Sequence, residues 1–353
     1  MKSRRSVFTI VIATALILAT SCGAGSVPTE RADVLVSIGA GLTGPTGLKA
    51  TVYARGLTSV SALAFDAKNR LWATTADFED QGRDALYVIT DAGSEPLKVV
   101  PSLHTPLGLL WYNESLYVTS AAGVDVYSGF DGTKFADHKT ILDLDAGIGK
   151  PGGIVLGPDG RMQMGISAPC DSCNPESEYS GAVVSFLPDG SDLKLFAGGI
   201  RAPVGLTYYP NTSDLFVTMN QRDDLGAATP GDWLAVVRQD QAWGFPECYG
   251  QGGTACTGVP QPTAALDPHA AVSGVAIVTG QLGTGIGTSA LVAEWATGKV
   301  LRVALGKDGA NYTGTVQPFL TGLTNPVPVL ASAKGAVLVG DWTTGTIFSI
   351  AKV

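Results

Sequence analysis

The sequence predicts an all-β protein, a six-bladed β-propeller with four-stranded blades, and two observations carry this prediction. One pattern, an apolar strand followed by a Gly, Asp or Asn turn and a second alternating strand, occurs six times. Its starts are separated by 46, 45, 52, 72 and 51 residues, which is near the period of propeller blades. No part of the domain sustains the 3.6-residue periodicity of an amphipathic helix, so a helical solenoid is excluded.

Most copies of the pattern supply three strands and a fourth that leads into the next copy. The copies begin at Leu57, Leu103, Ile148, Ile200, Val272 and Leu323. The last copy ends at Val353 with only three strands, and residues 51–54 have the character of the missing fourth one. Pairing this N-terminal strand with the last copy closes the ring and removes exposed sheet edges. We therefore expect the propeller to occupy residues 47–353.

The N-terminal residues predict export. Lys2, Arg4 and Arg5 precede an apolar run of 13 residues, 7–19, which is typical of a secretory signal peptide over residues 1–21. The run is shorter than the ~20 residues of a spanning helix, so a permanent transmembrane anchor is the weaker interpretation. The adjacent arginines leave both the twin-arginine and the general export route open.

Cys22 follows small residues that resemble a bacterial lipoprotein cleavage site. This predicts lipid attachment at Cys22 and a location in the bacterial cell envelope, with the membrane contacted through the lipid anchor only. Residues 22–46, rich in Gly, Ser, Pro and Thr, are predicted to be a flexible tether.

Charge excludes one class of partner. The chain carries a formal net charge of −8, and removal of the three basic residues of the signal peptide leaves −11. Such an acidic surface argues against nucleic acid as a partner. A small neutral ligand, such as a sugar or polyol, is compatible with it.

The four remaining cysteines form two close pairs in the sequence. In the loops of an exported protein an even number of cysteines predicts disulfides, here Cys170 with Cys173 and Cys248 with Cys256. A four-cysteine zinc site is disfavoured because the pairs lie about 75 residues apart and only one has CxxC spacing. A thioredoxin-like redox motif is disfavoured because the first pair lies in a predicted loop.

Blade-specific sequences carry a resemblance to a known family. They include the Leu-Gly-Pro-Asp-Gly segment at 156–160, the segment at 196–206 that contains Gly-Gly-Ile-Arg-Ala-Pro, Trp-Gly-Phe-Pro-Glu-Cys-Tyr-Gly at 243–250 and Asp-Pro-His-Ala-Ala at 267–271. The chain from about residue 50 to 353 resembles the quinoprotein glucose/sorbosone (aldose sugar) dehydrogenases. The resemblance implies pyrroloquinoline quinone (PQQ) and calcium over the central channel, and hydride transfer from a sugar to the quinone with a histidine as base.

The resemblance also implies site residues. Arg201 matches an arginine that contacts the carboxylates of the cofactor, and Asn220 and His269 fall at cofactor-binding positions. The main-chain carbonyls of Gln221, Arg222 and Asp223 match the loop that holds calcium.

Several positions depart from the family pattern. Gly149 or Lys150 stands where the histidine base is expected, and Lys150 could act as a base only if it were desolvated. Ala202 replaces an asparagine beside Arg201, and Asn325 stands near an expected arginine. His104 and His138 are expected in a turn and on a solvated edge. Trp295 and Trp342 could stack on a planar ligand or fill the space between blades.

Three functional hypotheses follow. The first is an exported dehydrogenase of a sugar or polyol that uses PQQ and calcium. The second is a non-catalytic propeller that binds a glycan, a small ligand or an envelope protein, which the missing base favours. The third, a calcium-dependent lactonase, would need Glu, Asn and Asp side chains lining the channel, and the sequence offers no such set.

Overall fold

A computed structural model describes residues 34–77, 79–145, 147–250 and 254–353. The predicted signal peptide and Cys22 lie outside these residues. The described chain begins with the hairpin β1 (Leu35–Gly39) and β2 (Leu42–Pro45) and the strand β3 (Leu48–Ala54). Apart from two 3-10 turns, its regular structure consists of strands, and no described helix is long and apolar enough to cross a membrane.

Six sheets follow one another along the chain, each with antiparallel neighbours except for one short edge strand of the third, so the predicted fold class is confirmed. The first blade contains β4 (Val60–Phe65), β5 (Leu71–Thr75), β6 (Asp84–Ile89) and β7 (Leu97–Leu103). The second contains β8 (Gly108–Tyr112), β9 (Ser115–Ser120), β10 (Gly123–Ser128) and β11 (Asp137–Asp143). The third contains β12 (Pro151–Leu156), β13 (Met162–Ile166), β14 (Ala182–Phe186) and β15 (Lys194–Gly198).

The remaining blades include the predicted insertion. The fourth blade contains β16 (Pro203–Tyr208), β17 (Leu215–Met219), β18 (Trp233–Val237) and, after the two-residue β19 (Gln241–Ala242), the short β20 (Ala264–Ala265). The fifth contains β21 (Val272–Thr279), β22 (Thr288–Glu294), β23 (Lys299–Asp308) and β24 (Asn311–Leu320). The sixth contains β25 (Pro326–Ala331), β26 (Val337–Asp341) and β27 (Thr346–Lys352).

The ring is closed by the N-terminal strand, as predicted. β3 pairs antiparallel with β27, from Ala54 opposite Ile347 to Leu48 opposite Lys352. Each innermost strand contacts the innermost strand of the next blade, and β25 contacts β4. The insertion adds β19 to the outer edge of the third blade, parallel to β15, before it supplies β20 to the fourth.

The prediction of a flexible tether over residues 22–46 is wrong for its described part. Residues 35–45 form the β1–β2 hairpin, whose Ile38 and Leu42 are only 6% and 1% exposed. Both pack in a cluster with Phe319 and Phe348, and Thr43 exchanges two backbone hydrogen bonds with Thr321, each 3.1 Å long. The apolar side chains of this segment therefore bury themselves against the last two blades despite its Gly-rich composition.

Both predicted disulfides are confirmed. Cys170 is bonded to Cys173 in the loop between β13 and β14, and Cys248 to Cys256 in the insertion. Each bond closes a short loop, so its effect is local.

Glycines set the spacing of the innermost strands. A Cβ added to any of four of them would lie under 3.0 Å from a carbonyl oxygen of the next blade; these are Gly108, Gly153, Gly205 and Gly274. Hydroxyls of second strands add bonds across the same junctions, since Thr119 and Thr218 each donate to a carbonyl of the next blade at 2.7 Å. Neighbouring blades thus meet backbone to backbone around an apolar axial cavity of about 560 Å³.

Replacing Gly205 by alanine should lower the free energy of unfolding by about 1–3 kcal/mol, because the new methyl group would overlap the carbonyl of Ser273. Denaturant unfolding of the purified domain measures this change. Gly198→Ala is the matched control, since its Cβ would meet only the Leu195 side chain at 3.6 Å. Equal losses in the two variants would contradict the role assigned to the inner ring.

Candidate functional site

The predicted site residues lie on one face of the ring. In all six blades, the residue after the second strand donates a backbone hydrogen bond of 2.8–3.2 Å to a residue just before the first strand; the pairs are Ala76 with Ser59, Ala121 with His104, Ser167 with Lys150, Asn220 with Ala202, Trp295 with Ala271, and Trp342 with Asn325. We call this the upper face, and the opposite one, where the innermost strands end, the lower face. The repeat places every predicted cofactor position at the same end of the axis.

Arg201 is fully engaged within the chain. Its guanidinium forms an ion pair with Asp171, which lies between the two disulfide-bonded cysteines. The same group donates to the main-chain carbonyls of Gln221 at 2.8 Å and Asn220 at 3.3 Å. Its side chain is 17% exposed, so the arginine expected to bind a cofactor carboxylate already holds a carboxylate of the protein.

The loop predicted to bind calcium does not fit that ion. The carbonyl of Gln221, a predicted ligand, points at the cationic guanidinium of Arg201. Calcium takes six to eight oxygen ligands, which can include main-chain carbonyls, and a carbonyl that already accepts from a guanidinium is a poor ligand for it. In the described residues no three His, Cys, Asp or Glu side chains are grouped so as to hold a metal. The guanidinium of Arg201 therefore lies where a cation would have to approach the Gln221 carbonyl.

Arg222 and Asp224 pair with each other. Two hydrogen bonds of 2.6 Å join the guanidinium to the carboxylate, and this pairing lowers the pKa of Asp224 to about 2. Ser172 donates to Asp224 at 3.0 Å, and the Arg222 guanidinium lies 4.7 Å from the ring centre of Tyr249. The disulfide loop at 170–173 and the insertion thus contact the loop at 220–224 from two sides.

His269 bridges the same loop. One ring nitrogen lies 2.7 Å from a carboxylate oxygen of Asp223 and the other 2.8 Å from the carbonyl of Gly226. The Gly226 carbonyl first and Asp223 second raise the pKa of His269, because both accept protons that the imidazolium donates. Because both ring nitrogens of His269 are engaged within the chain, the side chain positions the loop and has no free nitrogen to act as a base.

Asn220 has one unused polar atom. Its amide donates to the carbonyl of Val272 at 3.0 Å, which joins the fourth blade to the fifth. Its side-chain oxygen is buried and has no hydrogen-bond partner in the described chain. Of the predicted cofactor-binding residues, Asn220 is therefore the one with a buried acceptor still open.

No base occupies the position of the family histidine. A Cβ on Gly149 would collide with the carbonyl oxygen of Ser167, so the backbone itself excludes a larger residue there. Lys150 is exposed, and its ammonium forms no hydrogen bond or ion pair among those seen in the described residues. The desolvation that would make Lys150 a base is absent at this position.

The two tryptophans pack against each other and the neighbouring backbone. Trp295 and Trp342 meet edge to face with ring centres 6.1 Å apart. The Trp342 indole donates to the carbonyl of Ala76 at 2.9 Å, across the junction of the sixth and first blades. Both rings are half-buried, which favours the interpretation that they fill the space between blades.

Buried carboxylates that the sequence did not single out hold the upper face together. Asp84, Asp232, Glu294 and Asp341 are each at most 3% exposed. Asp84 accepts backbone N–H bonds from Asp77 and Thr105, and Asp232 from Gln221 and Val272, so each links a loop to the next blade. Burial raises the pKa of Asp232 to about 6. Their signal in the sequence is an acidic residue at the connection between the second and third strands, at the end of the second strand for Glu294 and Asp341 and at the start of the third for Asp84 and Asp232.

These contacts decide whether PQQ fits. The quinone carries three carboxylates and needs free cations to bind them. Arg201, Arg222 and His269 are each paired with a carboxylate, and Lys299 is paired with Asp267 and Glu294. Of the cations named on the upper face, the exposed Lys150 is the one without a carboxylate partner in the described residues; because the others are paired, the residues as arranged do not fit a trianionic cofactor.

His269 should titrate above the usual value of about 6.5 in NMR experiments, and Asp223→Asn should lower its pKa by removing one of the two acceptors. Because the pKa of His269 is raised in the folded state, the bridge contributes fully to the stability of the protein below the unfolded-state pKa. This contribution is lost as the pH rises through the folded-state pKa. His269→Gln assigns the signal. A pKa unchanged by Asp223→Asn would contradict the bridge.

Comparisons with known proteins agree with the fold. No family model matches the sequence, and no curated protein matches it. Among solved structures, the PQQ-bound aldose sugar dehydrogenase of Streptomyces coelicolor is 18% identical, with a TM-score of 0.68 over 87% of this chain and 99% of that one.

Two fungal proteins are similar in the same way. The holo PQQ domain of a Coprinopsis cinerea pyranose dehydrogenase is 14% identical, with a TM-score of 0.71 over 88% of this chain and 97% of that one. A calcium structure of a Trichoderma reesei carbohydrate-active enzyme is 15% identical, with a TM-score of 0.69 over 92% of this chain and 98% of that one. The chain thus has the six-bladed propeller fold of PQQ-dependent sugar dehydrogenases.

Proposed function

We propose that this protein is an exported binding propeller that takes a small neutral sugar or polyol on its upper face and does not carry out quinone-dependent oxidation. The observation that carries the proposal is that Arg201 is already bound within the chain. It forms an ion pair with Asp171 and donates to the carbonyls of Asn220 and Gln221. A quinone carboxylate would have to displace Asp171, and the exposed Lys150 and the cramped Gly149 supply no base.

The chemistry of the upper face suits a neutral hydroxylated ligand. Asp171, Asp223 and Asp224 line one loop cluster and can accept hydrogen bonds from hydroxyl groups, which are stronger when the acceptor is charged. Tyr249 is 39% exposed beside them and offers an aromatic face. A neutral ligand meets no electrostatic repulsion from these carboxylates, whereas an anionic one does.

The second candidate is an exported sugar dehydrogenase that uses PQQ and calcium. Its support is the fold shared with PQQ-binding proteins, together with the open, buried acceptor of Asn220. Under this alternative, Asp171 would release Arg201 when the quinone binds. Loss of a general base typically costs ~10²–10⁴-fold in rate, so turnover would be slow in any case.

We further propose that the chain is anchored to the cell envelope through a lipid on Cys22. The short apolar run before Cys22 supports this proposal, and so do the two disulfides, which form and persist in oxidising compartments.

Thermal unfolding with PQQ and Ca²⁺ together distinguishes the two candidate functions. Under the binding proposal, adding PQQ does not change the melting temperature that the wild type has with Ca²⁺ alone, dye reduction with a panel of aldoses stays at background, and calorimetry detects a member of an aldose and polyol panel. Asp171→Asn frees Arg201 and should permit some quinone binding. A saturable shift in the wild type with sugar-dependent dye reduction would overturn the proposal. Failure of every panel member would overturn sugar binding and leave an envelope protein as the candidate partner.

Cys22→Ser should move the exported protein from the membrane fraction to the soluble fraction, because a diacylated cysteine is the expected anchor. Cell fractionation with immunodetection measures the change, and a wild-type chain expressed in parallel is the control. Equal distribution of the two chains between the fractions would contradict lipid anchoring at Cys22.

A further inference from the structure

A second feature lies on the lower face, away from the residues discussed so far. In the turn between β12 and β13, Gly157 faces three side-chain oxygens. A Cβ built on it would lie 2.6 Å from a carboxylate oxygen of Asp159, 2.8 Å from the amide oxygen of Gln163 and 3.0 Å from the hydroxyl of Tyr208. Three oxygen atoms from two blades therefore converge on the space in front of one glycine.

The amide oxygen of Gln163 is the unusual member. Gln163 is only 1% exposed, and this oxygen has no hydrogen-bond partner in the described chain. A buried acceptor without a partner loses its hydration at a typical cost of about 1–3 kcal/mol. A ligand that attracts oxygen lone pairs would remove this cost.

The first blade fills the equivalent position with a pair of side chains that bond to each other. Its turn has the same backbone hydrogen bonds, from Asp66 N–H to the Arg70 carbonyl and from Gly157 N–H to the Arg161 carbonyl in the third blade. In the first blade the Asp66 carboxylate accepts from the indole of Trp72 at 3.1 Å. The third blade has Gly157 in place of that aspartate and Gln163 in place of that tryptophan. The first blade thus has a carboxylate acceptor bonded to an indole donor at this position. The third blade has an open space in front of Gly157 and an amide acceptor, Gln163, beside it.

Charge in this space is negative and not neutralised locally. The nearest arginine, Arg161, turns its guanidinium to Ser185 at 2.7 Å and to Asp192 at 2.9 Å. Within the described residues, the bond seen at Asp159 is one of 3.1 Å that it accepts from the backbone N–H of Arg161. Tyr208 contributes a hydroxyl group, which offers oxygen lone pairs without a charge.

We propose that Asp159, Gln163 and Tyr208 form a binding site for a hard cation, Ca²⁺, at the junction of the third and fourth blades on the lower face. A carboxylate, an amide oxygen and a hydroxyl are oxygen ligands of the kind that such cations prefer. Water completes the coordination, since Asp159 is exposed and Tyr208 borders the axial cavity. With a single carboxylate, the site belongs with the weaker calcium sites, with dissociation constants on the order of 10⁻⁴–10⁻³ M.

The site is tested with the mature protein and Ca²⁺ alone, without quinone. Ca²⁺ at 10 mM should raise the melting temperature by a few degrees, because a ligand that binds only the native state stabilises it. Terbium offers a second readout, since Tyr208 would sensitise its luminescence and Ca²⁺ should compete. Gly157→Ala should weaken the affinity for both Ca²⁺ and terbium at least tenfold, because the methyl group occupies the space between the three oxygens.

Controls keep the outcome clear. The φ of Gly157 lies outside the left-handed region, so alanine at this position fills the space between the oxygens without straining the backbone. Gly285→Ala is the matched control, because an added Cβ meets nothing within 4 Å there and the φ is also ordinary. Gln163→Leu should abolish binding, and unfolding in EDTA shows that each variant folds.

Two results would overturn the site. If Ca²⁺ and terbium leave the wild type unchanged, the Gln163 amide closes the space by turning its NH₂ group toward Asp159. If Gly157→Ala retains the effect, the ion binds elsewhere. Asp171→Asn, which alters the upper face, should leave this site unaffected, so failure here is separable from failure of the proposed function.

Discussion

The close approach of the innermost strands is the constraint on which the rest of this protein depends. Gly108, Gly153, Gly205 and Gly274 let four of the six innermost strands lie against a carbonyl of the next blade, and Thr119 and Thr218 donate across two of the same junctions. Because the six junctions close a ring, a change in the spacing of two blades at one junction also shifts the others. Tight closure in turn brings the loops at each end of the axis into contact, and the upper face is assembled from those contacts.

On the upper face, charged side chains hold the loops in place by pairing with one another and with backbone groups. Buried carboxylates such as Asp84 and Asp232 accept backbone N–H groups from adjacent blades, and Asp171 and Asp223 engage Arg201 and His269. A paired cation costs less to bury than a lone one, so the arrangement is stable without a ligand. The same pairing neutralises most of the positive charge that an anionic cofactor requires. The fold is that of quinone-binding sugar dehydrogenases, whereas the electrostatics of this face suit a neutral ligand.

The repeat also shows how one position changes its role between blades. Asp66 and Trp72 satisfy each other in the first blade, whereas Gly157 and Gln163 in the third leave an oxygen-lined space. The backbone of the turn is the same in both. A β-turn closed by backbone hydrogen bonds tolerates either solution, because its own geometry does not depend on the side chain that fills it.

Much of the fold was determined by the sequence alone. Six repeats, the closing strand and both disulfide pairings follow from alternation, turn residues and cysteine spacing, which are local properties of the chain. The tertiary structure decided what the side chains are free to do. Arg201 meets Asp171 30 residues away, Ser167 crowds Gly149, and the Gly-rich segment before β3 buries Ile38 and Leu42 in place of a flexible tether. Whether a charge is open to a ligand depends on which groups reach it through space, and linear spacing does not encode that.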